Sequence, residues 1–139
     1  MIVLDTDHLT ELGYGTPPGK SLAARIQRSP VKDAITIVSV HEQMRGSLAR
    51  LAGAKSEEDH VLAYSVFAER LRFLSKFNHL PFDKGAAVLF TKLRKKGVRI
   101  GTMDLRIASI VMEHDAVLLT RNTVDFEKVP GLKFENWLE

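Results

Sequence analysis

A chain of 139 residues that is 45% hydrophobic and 27% charged has the size and balance of one globular domain, 1–139, large enough to bury a core. No run approaches about 18 apolar residues, and no basic stretch precedes the opening apolar run, so neither a membrane span nor a secretory signal is expected. Cysteine is absent, which excludes disulfides, thiolate metal sites and a cysteine nucleophile and is compatible with a reducing cytoplasm, the expected location. A net charge of +3 is too small to announce nucleic-acid binding by itself.

The chain alternates between strand and helix signals. Residues 2–5 read as a short buried strand, after which Asp5 or Asp7 can cap a brief helix to about Leu12. Gly13 through Gly19, with Pro17-Pro18, reads as a loop before a helix whose apolar face is Leu22, Ala23 and Ile26. Ala34–Val38 is β-branched and predicts a strand, and Ser39 opens a helix to about Leu51. The spacing of Val61, Leu62, Phe67, Leu71, Leu74 and Phe77 suits a long amphipathic helix over 57–77. More of its positions are apolar than one sheet face readily covers, so Leu9, Leu12, Leu62, Phe67 and Leu71 are expected to include contacts with another chain.

Beyond it, His79–Phe82 is a short extended link, and Asp83 caps a helix running to about Lys96. Lys92, Arg94, Lys95 and Lys96 fall in its last turn, where cations complement the helix dipole and Gly97 ends it. Residues 98–100 form a brief strand-like run. A helix over 103–113, a buried strand over 116–120 and an edge strand over 132–137 close the chain. Such alternation predicts an α/β sandwich with a mainly parallel sheet, in which ligands collect at the carboxyl ends of the strands.

Acidic or amide residues follow several of these strand-like runs: Asp5, Glu42, Asp104, and the pair Asn122 and Asp125. Carboxylates from distant segments would then meet at one sheet edge, where a divalent cation makes their repulsion tolerable and metal-assisted hydrolysis becomes the expected chemistry. Each also has a purely structural explanation. Ser39-Val40-His41-Glu42 fits the S-x-x-E capping box, Asp104 sits in a first helical turn, Asn122 to Asp125 is a plausible cap sequence, and Asp5 or Asp7 could cap the first helix. Capping does not explain why a carboxylate ends a buried strand. A buried carboxylate without a partner costs several kcal/mol or loses its charged form, so something cationic is expected close to Asp5.

These residues carry a resemblance. Ile2-Val3-Leu4-Asp5-Thr6-Asp7-His8-Leu9 resembles the first motif of PIN-domain nucleases, specifically VapC-type toxins of toxin–antitoxin systems. Ile35 to Glu42, with Gly46 four residues on, resembles the second motif, Gly101-Thr102-Met103-Asp104-Leu105-Arg106 the third, and Leu118 to Phe126 the fourth. Pro130-Gly131-Leu132 through Trp137 resembles the family's last strand. The resemblance implies a three-layer α/β/α sandwich, Mg²⁺ (or Mn²⁺) as cofactor and endoribonuclease activity on RNA. It also implies a homodimer held inactive by a cognate antitoxin whose C-terminal segment covers the acidic groove.

By the same resemblance Asp5, Glu42 and Asp104 hold the metal, directly or through water. Glu42 is best placed to orient or deprotonate the attacking water. At the fourth catalytic position Asn122 stands where aspartate is commoner, with Asp125 the alternative acid; Thr6 and Asp7 are further candidates for metal contact or support. Arg121, Arg45 and Arg106 are candidates to meet RNA phosphates. His8 and His41 are expected in ordinary polar contacts, and Phe134 and Trp137 in packing. Two other readings compete: a catalytically decayed PIN-like module that binds RNA or a partner, and a DNA-directed nuclease.

Overall fold

The apolar triplets Ile2-Val3-Leu4 and Val117-Leu118-Leu119 pair in parallel, with Leu4 opposite Leu119, and the sheet grows outward from that pair. In the computed structural model, which describes residues 1–138, the strands are β1 (Ile2–Leu4), β2 (Asp33–Thr36), β3 (His79–Leu80), β4 (Val117–Leu119) and β5 (Lys133–Glu135). Their order across the sheet is β3-β2-β1-β4-β5, and every pairing is parallel. The helices are α1 (Thr6–Tyr14), α2 (Pro17–Arg28), α3 (Ile37–Ala52), α4 (Glu57–Ser75), α5 (Lys84–Lys95), α6 (Thr102–Glu113) and the short α7 (Thr123–Phe126).

Alternate residues along a strand face opposite ways, and this splits the core in two. Val3, Ala34 and Leu118 pack with Ala86 and Leu93 of α5 and Leu105 and Ala108 of α6. Ile2, Leu4, Ile35 and Leu119 pack instead with Leu9 of α1, Leu22 of α2 and Leu74 of α4. Burial on both faces makes the strands continuously apolar rather than alternating, and the result is an α/β sandwich with a parallel sheet, as the alternation predicted, in the three layers that the resemblance implied.

Several boundaries differ from the expectations. The Pro17-Pro18 pair opens α2 instead of lying in a loop: Thr16 accepts the Gly19 N–H, and proline suits a first helical turn, whose N–H groups lack partners anyway. Residues 98–100 form no strand, so Asp104 follows a loop, although Val98 and Ile100 are buried. Leu9 is wholly buried within this chain and is not available to another, whereas Leu62 and Leu71 are more than half exposed.

The most consequential shift is at α3. Helix begins at Ile37, and the Thr36 hydroxyl accepts the Ser39 N–H at 3.1 Å. Thr36 has the β-branching of a strand residue and the hydroxyl of a cap, so a four-residue pattern could not locate the junction. Ser39 is therefore inside the helix, the capping box does not form, and Glu42 is free of that role. Thr36→Ala should destabilise the fold by about 1 kcal/mol, and Ser39→Ala by less; urea denaturation of both variants checks which residue is the cap.

Candidate active site

At the centre of the sheet β1 continues toward one edge through β2 and toward the other through β4, and the cleft beyond the carboxyl ends of β1 and β4 lies where the order reverses. Asp5 follows β1 directly, and Thr120 follows β4 beside it. Asp5 Oδ1 accepts the Thr6 N–H at 2.8 Å, capping α1, and Oδ2 accepts the Thr120 hydroxyl at 2.8 Å. Burial, then the charge of Asp7 and to a smaller extent that of Asp104, push the Asp5 carboxyl up to about 7 against the opposing bonds from Thr120 and Thr6.

Glu42 reaches the same cleft from α3, and the Thr6 hydroxyl donates to its Oε1 at 2.8 Å. Asp104 enters from the first turn of α6, half-buried. Its carboxyl is raised by burial, then by the negative charges of Glu42, Asp125 and Asp7. The Asn122 amide nitrogen donates to Asp104 Oδ2 at 3.4 Å and to Asp125 Oδ2 at 3.1 Å. Side-chain capping bonds are absent at both α6 and α7. Of the structural explanations for these acids, capping therefore holds for Asp5 alone.

Asp7 is a brace. Burial favours its neutral form, but bonds from His8, from the Arg121 N–H and from Thr120 outweigh this and hold its carboxyl below the usual range. Its Oδ1 lies 2.6 Å from His8 Nδ1, and its Oδ2 accepts the Arg121 N–H at 3.0 Å. His8 is wholly buried, and its Nε2 accepts the Trp137 N–H at 3.2 Å, so the ring proton sits on Nδ1 and is donated to Asp7. Trp137 itself packs in the core with Arg25 stacked 3.9 Å from its ring centroid, in line with the packing role expected of it.

The expected arginines divide. Arg121 turns away from the acids to Glu11, 3.1 Å distant. Arg106 lies over the rings of Phe82 and Phe90, at 5.7 and 5.5 Å. Arg45 stays exposed on α3, one turn beyond Glu42. Thr120 was not anticipated: it touches Asp5, lies 3.3 Å from Asp7 and accepts the Asn122 N–H at 3.0 Å. Only the β1–β4 register, which sets it beside Asp5, could have revealed it.

Among the described residues no basic side chain forms an ion pair with Asp5, Glu42 or Asp104, so the cation expected near Asp5 is not supplied by them. Among those residues no group of three acidic or histidine side chains is placed to hold a metal ion by itself. Mg²⁺ or Mn²⁺ needs fewer protein ligands, one or two carboxylates with several waters retained. Oxygen donors without a neutralising base form a donor set chemically suited to such an ion.

The PIN domain family matches residues 2–132. The chain belongs to that family. Ribonuclease VapC2 of Rickettsia felis is 34% identical over 84 residues, 60% of this chain and 61% of that protein. Ribonuclease VapC1 of Haemophilus influenzae is 26% identical over 137 residues, 97% of this chain and 96% of that one. The crystal structure of VapBC2 from Rickettsia felis bound to a DNA fragment from their promoter matches with a TM-score of 0.71 and 25% identity, covering 99% of each chain. In this PIN domain the acids converge through α1, α3, α6 and the turn after β4, and among the described residues no helix is long and apolar enough to cross a membrane.

Two outcomes follow from these charges. Native Asp5 keeps its proton to about pH 7, whereas an unfolded aspartate releases it near pH 4. The native state thus binds more protons in that window, and stability of the metal-free protein should fall as pH rises through it, by up to about 4 kcal/mol. Asp7, lowered, titrates below the window, and Asp104, raised, adds to the fall in the same direction. Thermal melts should show Asp5→Asn flattening this dependence and Mg²⁺ raising the midpoint more at about pH 7.5 than at about pH 5.

Asn122→Asp sets a further carboxylate against Asp104 and Asp125. It should destabilise the metal-free protein by about 1 kcal/mol and tighten Mn²⁺ binding. Asp125→Asn should change Mn²⁺ affinity by less than about threefold. Calorimetric Mn²⁺ titration checks both, and a collapse confined to Asp125→Asn would reverse the assignment of the fourth position.

Proposed function

We propose that this PIN domain is a Mg²⁺- or Mn²⁺-dependent endoribonuclease acting as the toxin of a toxin–antitoxin pair. The observation that carries the reading is the meeting of Asp5, Glu42 and Asp104, from segments far apart in sequence, with no base among the described residues to neutralise them. Two of its VapC relatives are named ribonucleases, which favours RNA over DNA as substrate. A decayed binding module is disfavoured, because the repulsion among these acids is a burden that a bound cation relieves.

In this mechanism Asp5 and Asp104 would hold the ion, with Glu42 joining through water or directly. A divalent ion supplies polarisation of the phosphoryl group and a lower pKa for water. Glu42, fixed by Thr6 at 2.8 Å, orients the attacking water and receives its proton as the new O–P bond forms. The bond from phosphorus to the 3′ oxygen breaks in the same step, and that oxygen takes a proton from solvent water, leaving a 5′-phosphate and a 3′-hydroxyl. Thr120 fixes Asp5 against Asp7, while Asn122 spaces Asp104 from Asp125 by donating to both. The ribose 2′-hydroxyl takes no part.

The partners proposed are an antitoxin and a second copy of the chain. Support comes from the VapBC assembly among the structural matches and from Leu48, Val61, Leu62, Tyr64 and Leu71, all exposed on α3 and α4. Sedimentation of the purified protein at tens of micromolar should show a dimer, and a strictly monomeric species both alone and with its antitoxin would count against this.

For the chemistry, labelled structured RNA should be cleaved with Mg²⁺ or Mn²⁺ and left intact in chelator. Asp5→Asn and Asp104→Asn should each lower the rate at least about a hundredfold with the fold retained by circular dichroism. Cleavage undiminished in chelator, or by folded Asp104→Asn protein, would refute the mechanism.

A further inference from the structure

A cleft of about 450 Å³ opens beside Glu42, lined by Glu42, Gln43, Ser47 and Arg50 of α3 together with Tyr14 and Arg70. Its α3 wall runs eight residues from Glu42 to Arg50, about 12 Å. That span exceeds the roughly 3.4 Å rise per nucleotide of a stacked strand. Glu42 and Arg70 line this one cleft, so a chain seated in it can meet both.

Arg70, on α4, is unusual. It is only 8% exposed, and its Nη1 is buried with no hydrogen-bond acceptor among the described residues. Its guanidinium stacks 4.5 Å from the Tyr14 ring centroid and 5.4 Å from that of Phe73. Gly13 makes room for it, since a Cβ there would stand 2.6 Å from Nη1 and 2.9 Å from Nη2. Glycine inside a helix costs roughly 1 kcal/mol relative to alanine, and at this position it leaves the guanidinium its place over Tyr14. Arg50, on the same cleft, is already committed to Asp59 through two bonds of 2.6 and 3.1 Å.

A buried guanidinium N–H without an acceptor costs free energy that an anion would recover, and a guanidinium pairs readily with phosphate oxygens. We propose that the cleft is a phosphate subsite, in which Arg70 receives an RNA phosphodiester flanking the one at the acids. The subsite rests on the nuclease reading above. Continuity of the wall with Glu42 favours a nucleic-acid backbone over a single acidic side chain of a protein partner, because a strand positioned for cleavage must leave the acids along some wall. The acidic end would carry the scissile phosphate with its cation, and the basic end the flanking one.

Two variants separate the subsite from folding. Arg70→Met keeps the aliphatic stem and removes the fork. Gly46→Leu fills the cleft from a helix surface where an added Cβ meets nothing within 4 Å, and it gains helix propensity, so folding is not at stake. Each would be placed in the cleavage-silent Asp104→Asn protein with Mg²⁺, and binding of a single-stranded RNA measured by fluorescence anisotropy from 50 to 200 mM salt. The RNA is tested unmodified and with one neutral methylphosphonate at each successive linkage.

Both variants should weaken binding about tenfold, and Arg70→Met should reduce the slope of log K against log salt by about 0.7, the value for one single-strand phosphate. One flanking methylphosphonate should weaken the Arg70 protein equally and leave Arg70→Met unaffected. Equal methylphosphonate losses in both proteins, or an unchanged slope, would overturn the subsite while leaving the nuclease reading intact. Unchanged RNA binding with weakened binding of an acidic protein partner would overturn it as well. Absence of RNA binding by the Arg70 protein together with absence of RNA cleavage by the wild type would remove the nuclease reading itself.

Discussion

The lateral pairing of β1 with β4 is the constraint on which the rest of this molecule depends. With Leu4 opposite Leu119, the residues that follow the two strands emerge side by side, and the Thr120 hydroxyl meets Asp5 at 2.8 Å. Slipping the register by one residue would turn Leu4 and Leu119 into the wrong helical layer and separate the two polar groups. The apolar layers thus fix the position of a polar site without contributing an atom to it.

Around that pair the polar groups form a hierarchy of support. Thr6 serves Asp5 through its amide and Glu42 through its hydroxyl, tying the end of β1 to α3. His8 passes an anchor in the core, the Trp137 amide, to Asp7, and Asp7 in turn holds the Arg121 amide at the start of the turn that presents Asn122. Carboxylates that repel one another are kept in place by neutral hydroxyl, amide and imidazole donors rather than by bases. Neutral donors hold geometry while leaving the site's negative charge available, which is the electrostatic condition for attracting a cation.

Much of this was legible in the sequence because burial and charge conflict openly at Asp5: an acid ending a run of Ile2, Val3 and Leu4 needs a reason. The sheet, its parallel sense and the convergence of Glu42 and Asp104 follow from the alternation of apolar runs with amphipathic helices. What was hidden needed tertiary knowledge. Thr36 and Ser39 compete for the same capping role over three residues, and only the burial of Val38 in the core beside Ala34 decides between them. Thr120 is an ordinary strand-end threonine until the register sets it against Asp5. Arg121 carries the charge suited to the acids, yet Glu11 lies nearer to it. Arg70 is one of many basic residues on exposed helices, and its isolation appears only when its surroundings are known.

The Thr120–Asp5 bond joins residues 115 positions apart in the chain. A contact of such separation forms late, since most of the loop-closure entropy must be met before it yields anything. On the ribosome the constraint is stricter: β1 cannot acquire its β4 neighbour until all but the last segment of the 139-residue chain has been made. The acidic cluster is therefore completed only once β4 has been made, and a nascent chain carrying Asp5, Glu42 and even Asp104 lacks the strand that sets Thr120 against Asp5.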